Sequence, residues 1–208
     1  MKLKSYKSTI IKKYGTTVEV QKYLGDQVVQ TQQTKALLGR STRTNTNLKT
    51  FEHQKEGIFL PDFDIDSGYF VINRAHNEEY LVISTHQEYD GDRKLSIVTN
   101  LMKCDHRLTV KGNTRIADSR GNLKSVFGEK YRNVPCYLEH ISSQLLQYQP
   151  GLSPDTEHRI YTTALNVELT DQVVVSMGGM ELVLKVTALD YMTFPGLLVI
   201  EVAKDIRK

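Results

Sequence analysis

The amino-acid sequence predicts an all-β protein: two related small antiparallel β-barrel or sandwich units, with a short N-terminal helix and long loops. Three observations carry this expectation. The first is residues 64–108, where Tyr69-Phe70-Val71-Ile72, Tyr80-Leu81-Val82-Ile83 and residues 95–102 are runs of apolar and β-branched side chains. Polar residues 73–79 and Tyr89-Asp90-Gly91-Asp92 separate them, which is the pattern of antiparallel hairpins. The second is an echo of that pattern about a hundred residues later. Val173-Val174-Val175, Gly178-Gly179, Leu182-Val183-Leu184 and residues 197–202 keep the same order, and Tyr89, Leu95 and Ile97 align without a gap on Tyr191, Leu197 and Val199. The third is that the rest of the chain keeps to short, evenly spaced strands with turn residues between them. The expected division is residues 1–112, holding the helix, the first unit and a long polar loop at 39–57, and residues 113–208, the second unit.

Each element has its own signal. Leu3, Tyr6, Ile10, Ile11 and Tyr14 recur at spacings of three and four, with the lysines mostly elsewhere, so residues 3–14 read as an amphipathic helix stopped at Gly15. A basic amphipathic helix can lie on a membrane surface, but this apolar face is narrow and holds two tyrosines. Packing on its own barrel or on a neighbouring subunit fits better. Val18 and Val20 alternate with Glu19 as a strand, Gly25-Asp26 turns, Val28-Val29 starts a partner strand, and Ala36-Leu37-Leu38 makes another. Residues 39–50 are rich in Ser, Thr and Asn and carry Arg40, Arg43 and Lys49 without an acidic residue; loops this long are usually functional or disordered. Further on, residues 118–122 read as a hairpin turn and 128–133 as a basic connector. Residues 141–148 read as one or two helical turns, and Leu165, Val167 and Leu169 alternate like a strand. Tyr69, Tyr80 and Tyr191 lie in apolar runs and are assigned to the core, whereas His53, His76, His86 and His158 lie in polar segments and are assigned to the surface.

Composition narrows the class. With 208 residues the chain holds one large or two small all-β domains and a real core in either case. Charged residues are 25% and apolar residues 39%, ordinary for a folded protein. No apolar run approaches the roughly 18 residues of a membrane span. No apolar segment follows the basic start Met1-Lys2-Leu3-Lys4, so a secretory signal is not expected. Two cysteines are too few for a disulfide framework and point to reduced thiols in a cytosolic setting. A net charge of +3 is too mild by itself to imply nucleic acid.

Candidate chemistry is sparse. Asp62, Asp64 and Asp66 alternate with Phe63 and Ile65, so on a strand three carboxylates share a face. Oxygen ligands of that kind suit Ca²⁺ or Mg²⁺, but Ser67 and Asn73 stand where a calcium-binding loop needs glycine and glutamate. A solvated strand edge accounts for them better. Cys104 with His106, and Cys136 with His140, offer four zinc-type ligands, but neither spacing matches the common finger patterns. Cys136 also shares an apolar face with Val134 and Leu138, where a buried thiol is the default. There is no G-x-S-x-G, phosphate-cradling glycine loop or H-E-x-x-H. Catalytic residues, metal ligands and cofactor contacts are therefore all expected to be absent, and the protein is read as not an enzyme.

Four segments carry a resemblance: Ser67-Gly68-Tyr69, Tyr80-Leu81-Val82, Cys104-Asp105-His106-Arg107-Leu108 and Pro135-Cys136, with Lys12-Lys13-Tyr14-Gly15 ahead of them. Over roughly residues 10–140 the chain resembles the head–tail connector, or neck, proteins of tailed phages of Gram-positive hosts. Their corresponding segments read Gly-Asp-Tyr, Trp-Leu-Val, Cys-Asn-His-Thr-Leu and Pro-Cys, so Tyr80, Asp105 and Arg107 are departures. The resemblance implies a virion protein, made in the host cytoplasm, that forms a homo-oligomeric ring in the neck. Such a ring sits on a portal or adaptor ring, meets a tail-side ring protein, keeps packaged double-stranded DNA in the head, and uses no cofactor or membrane. On that picture the 40–56 loop, with Arg40, Arg43, Lys49 and Lys55, is the candidate channel and DNA-facing element, because copies around an axis multiply a modest positive charge. The alternative is a monomeric OB-like module for single-stranded nucleic acid, which needs aromatic and basic residues interleaved on one exposed sheet face.

Overall fold

A computed structural model describes residues 3–40, 53–117, 123–141 and 155–205. The chain divides into two compact units, Met1–Cys104 with Phe194–Leu197, and Asp105–Thr193 with Leu198–Lys208. The division expected after residue 112 falls inside a strand instead. Residues 106–117 form one unbroken strand, so the break lies at Cys104–Asp105, where two consecutive residues leave the sheet.

The first unit opens with helix α1 (Leu3–Tyr14), followed by β1 (Thr16–Leu24), β2 (Gln27–Arg40), β3 (Gln54–Phe59), β4 (Phe70–Asn73), β5 (Glu78–Asp90) and β6 (Arg93–Lys103). The six strands close into an antiparallel barrel in the order β1-β2-β3-β6-β5-β4, and β4 returns to β1 through pairs such as Val20 with Val71. Closure gives each strand a neighbour on both sides over part of its length, so no strand stands at an edge of the sheet. Its core gathers Val18, Val20, Ala36, Phe59, Val71, Tyr80, Val82, Ile97 and Leu101, and Phe63 stacks on Phe59 with centroids 5.8 Å apart.

The helix follows the predicted span, and Gly15 ends it for a steric reason. Gly15 N donates to Ile11 O at 2.9 Å, and a side chain there would place Cβ 2.4 Å from that same oxygen. Ile11 is buried, α1 packs against β6 and β2, and Lys7 Nζ lies 2.6 Å from Glu88 Oε2. The two short strands expected at 28–29 and 36–38 are one strand of 14 residues. The Gln- and Thr-rich middle of β2 has little apolar content, but its backbone pairs with β1 from Gln27 to Ala36, and a ladder does not require apolar side chains.

The second unit runs β7 (His106–Ala117), β8 (Leu123–His140), β9 (His158–Thr163), β10 (Gln172–Met177), β11 (Met180–Asp190) and β12 (Leu197–Lys204). Its barrel closes in the cyclic order β7-β8-β9-β12-β11-β10, which is the first order with every strand advanced by six. The echo in the sequence is therefore a repeat of topology: β4-β5-β6 correspond to β10-β11-β12, and the aligned Tyr89 and Tyr191 sit at the matching turn. The core here is aliphatic, with Leu108, Val110, Val134, Ile160, Val173, Val175, Leu184, Leu198 and Ile200 around Cys136. The segment expected as a connector at 128–133 belongs to β8; its basic side chains sit on a strand, not a loop. The turn expected at 118–122 and most of the helical turns expected over 141–148 fall outside the described residues.

One predicted strand is not a strand. Leu165 and Val167 are buried and alternate with exposed neighbours, yet residues 164–168 join no ladder. Side chains take over the backbone polar groups that a ladder would pair. Tyr131 OH accepts from Asn166 N at 3.2 Å, and Tyr191 OH lies 3.1 Å from Leu165 O and 3.3 Å from Val167 N. Tyr191 is accordingly 42% exposed: its ring is not core, and its hydroxyl holds the segment.

Candidate functional site

The predicted channel loop is only partly described. Arg40 ends β2 and pairs in register with Lys55 on β3, so these two residues close the base of the excursion; Arg43 and Lys49 lie outside the described residues. Lys55, expected in the loop, stands on a strand. Its Nζ is 2.9 Å from Glu78 Oε2 and 4.9 Å from the centroid of the Tyr80 ring. Burial alone would raise the Glu78 pKa, but hydrogen bonds from Lys55 and Tyr80 outweigh it and hold the carboxyl below its ordinary range. Lys55 is therefore tied to the barrel wall by Glu78 and Tyr80.

The four zinc-type residues do not assemble. Cys136 is a fully buried thiol in the aliphatic core, as its apolar face predicts, with His106 as its cross-strand neighbour. Cys104 lies beside its own strand end, Sγ 3.8 Å from Met102 O, and His140 pairs with His158 across β8 and β9, rings 5.1 Å apart. Among the described residues no group of three or more His, Cys, Asp and Glu is placed to hold a metal ion. Asp62, Asp64 and Asp66 occupy a loop rather than a strand, but their alternation survives: Ile65 is buried, Phe63 packs on the core, and the three carboxylates are exposed.

His158 departs from its surface assignment. Burial, and then the charge of His140, push its pKa down, which keeps the ring neutral at physiological pH. Nearby, Tyr161 OH donates to Glu139 Oε2 at 3.0 Å, and Arg159 Nη2 lies 3.2 Å from Glu201 Oε1. Burial, followed by the Glu139 charge, drives the Tyr161 hydroxyl up to about 12. A phenol held that high keeps its proton and serves as a fastener between strands.

Two further ion pairs escaped the sequence reading because their partners are distant in sequence. Glu19, predicted to point away from the core, is buried with Val18 and Val20. It accepts from Arg74 Nε at 2.7 Å and Gln21 Nε2 at 2.7 Å, and the Arg74 hydrogen bond leads in holding its pKa down. In the second unit Asp171, also buried, lies 2.8 Å from Lys130 Nζ and accepts from Glu168 N at 2.9 Å. The only sequence signal for this second pair is Gly112, where a Cβ would come within 2.0 Å of the Asp171 carboxylate.

An apolar pocket of about 300 Å³ lies beneath α1, walled by Tyr6, Ile10, Ile11, Leu37 and Ile58. The ammonium of Lys7 at its rim is engaged by Glu88. Among the described residues no helix is long and apolar enough to cross a membrane. No protein-family model matches the chain, and no curated protein does either. What the fold defines is its class: an all-β protein of two topologically equivalent six-stranded barrels.

Proposed function

We propose that this protein is a non-enzymatic structural component of a tailed-phage neck. It forms a homo-oligomeric ring that joins the portal to the tail and helps to retain packaged DNA. One observation supports this most. The segments that carry the connector resemblance are neighbours in the ladders, not scattered surface strings. Gly68 N donates to Val82 O at 2.9 Å and Val82 N to Tyr69 O at 2.8 Å, Cys104 N donates to Glu79 O at 2.8 Å, and His106 and Arg107 pair with Cys136 and Pro135. Segments that pair with one another in building the barrels suit a scaffold. Tyr80 speaks against the OB-like alternative, because it is fully buried and its ring is not available for stacking bases.

The test is the solution mass of the purified chain by light scattering, with and without portal rings from the same phage. A monomer that becomes a ring on the portal is the expected result. A monomer that ignores the portal and binds single-stranded DNA with a steep salt dependence would establish the alternative. Deleting residues 41–52 should leave ring assembly intact and release packaged DNA; full retention by that variant removes the loop from the channel.

A further inference from the structure

Strands β7 and β8 outrun their barrel. They pair with each other from His106–Cys136 to Ala117–Leu123, but β10 covers β7 only from Arg107 to Lys111, and β9 covers β8 only from Tyr137 to His140. Residues 112–117 and 123–130 thus form a two-stranded ribbon with no third strand on either side among the described residues. At its root Gly112 faces Gly128, and Asp171 and Lys130 fill the space a side chain at 112 would take. The ribbon starts from a fixed base, and an isolated two-stranded ribbon is marginal in water.

Its outer part exposes Leu123 by 66%, Val126 by 45% and Phe127 by 56%. Leu123 and Phe127 share one face and Val126 lies on the other, so both faces are apolar. Three large apolar side chains in five residues, beside two unpaired backbone edges, are what a protein surface covers and a phosphate backbone does not. The ribbon is also basic. Residues 111–132 hold six basic and two acidic residues, and with Lys130 engaged by Asp171 five of the basic residues remain. Ribbon-to-ribbon pairing would bring like charges together, so the complement has to be acidic. The chain carries one. Between Lys55 and Arg74 there is no basic residue, and the inward turn of Phe63 and Ile65 leaves Asp62, Asp64 and Asp66 exposed.

We infer that the β7–β8 ribbon of one copy docks on the acidic 61–66 segment of a second copy. Leu123 and Phe127, which share a face, are covered in that contact, and the ribbon's basic residues face Asp64 and Asp66. The two surfaces differ, so the contact is head-to-tail, and its repetition closes a ring where the rotation allows. This deepens the ring reading above and rests on it.

The test is a charge swap in the full chain, read by sedimentation on portal rings and at high protein concentration. Lys124→Glu with Arg115→Glu and Arg132→Glu makes the ribbon acidic; Asp64→Lys with Asp66→Lys makes the receiving segment basic. Each variant alone should assemble about tenfold less than the unaltered chain or worse, because like charges then meet. An equimolar mixture of the two should assemble again, since each ribbon finds an opposite segment on the other variant. Phe127→Ser, which changes no charge, should also weaken assembly. If the unaltered chain forms rings and both charge variants do so equally, the docking inference is overturned and the ring reading stands. If the unaltered chain forms no ring, and its ribbon instead binds DNA in a way lost with Arg115→Glu, Lys124→Glu and Arg132→Glu, both are overturned.

Discussion

The two barrels share one strand order and are filled with different materials. The first places Phe59, Tyr80 and the stacked Phe63 among small aliphatic residues, and it carries a helix on its outside. Among the described residues the second has no aromatic side chain in its buried cluster and packs Val, Leu and Ile around one thiol. Connectivity of two three-stranded meanders therefore sets the barrel, and side-chain shape adapts to it, as expected where volume and patterning matter more than identity. The units also differ at the matching turn. Tyr191 braces residues 165–167, whereas Tyr89 is 57% exposed and its hydroxyl reaches only Gln87.

The largest effects should come from the cores. Phe59→Ala should cost the first unit about 3–5 kcal/mol and Ile160→Ala the second about 2–5 kcal/mol. Hydrogen exchange resolved along the chain should place each loss in its own unit; equal loss of protection in both units would mean that they unfold as one. Next is Asp171→Ala, which leaves the mostly buried Lys130 ammonium with only the exposed Glu168 carboxylate, 3.5 Å away, and frees Glu168 N. Breaking a buried pair on one side costs about 3–5 kcal/mol, and the partial exposure of Lys130 places this variant at the lower end in urea unfolding. Smaller, and the sharpest probe of the contrast, is a matched pair. Tyr191→Phe should cost about 1–3 kcal/mol by orphaning backbone groups at Leu165 and Val167, while Tyr89→Phe should stay within about 0.5 kcal/mol. Equal effects would erase the functional difference between the two turns.

The smallest effect is a pH dependence. The Arg74 hydrogen bond lowers the pKa of Glu19 from its ordinary 4.5, so the folded state holds the carboxylate more tightly than the unfolded chain does. That contribution is present above about pH 4.5 and is lost as pH falls through the lower folded value. Arg74 is largely exposed, which keeps the effect modest. Glu19→Gln should flatten this part of the acid limb of stability in the first unit; an unchanged acid limb would show that the pair contributes nothing.

Much of this architecture is written locally. The hairpins at 69–83 and 89–102 and their echo at 173–202 are legible because period-two alternation and turn residues act between near neighbours. The helix at 3–14 is legible because three- and four-residue spacing puts Ile10 and Ile11 on one side. The burial of Cys136 and the exposure of Asp62, Asp64 and Asp66 follow from the same alternation. Other features depend on partners far along the chain. Residues 164–168 have the pattern of a strand, but Tyr131 and Tyr191 hydroxyls replace the ladder, and nothing near Leu165 announces them. The fate of Lys55 is set by Glu78 and Tyr80, and that of Asp171 by Lys130. The extension of β7 and β8 beyond the barrel is visible only when the lengths of β9 and β10 are known. Alternation states which way a side chain points; only the closed barrels state what it meets there, because hydrogen bonds and ion pairs join residues that sequence distance keeps apart.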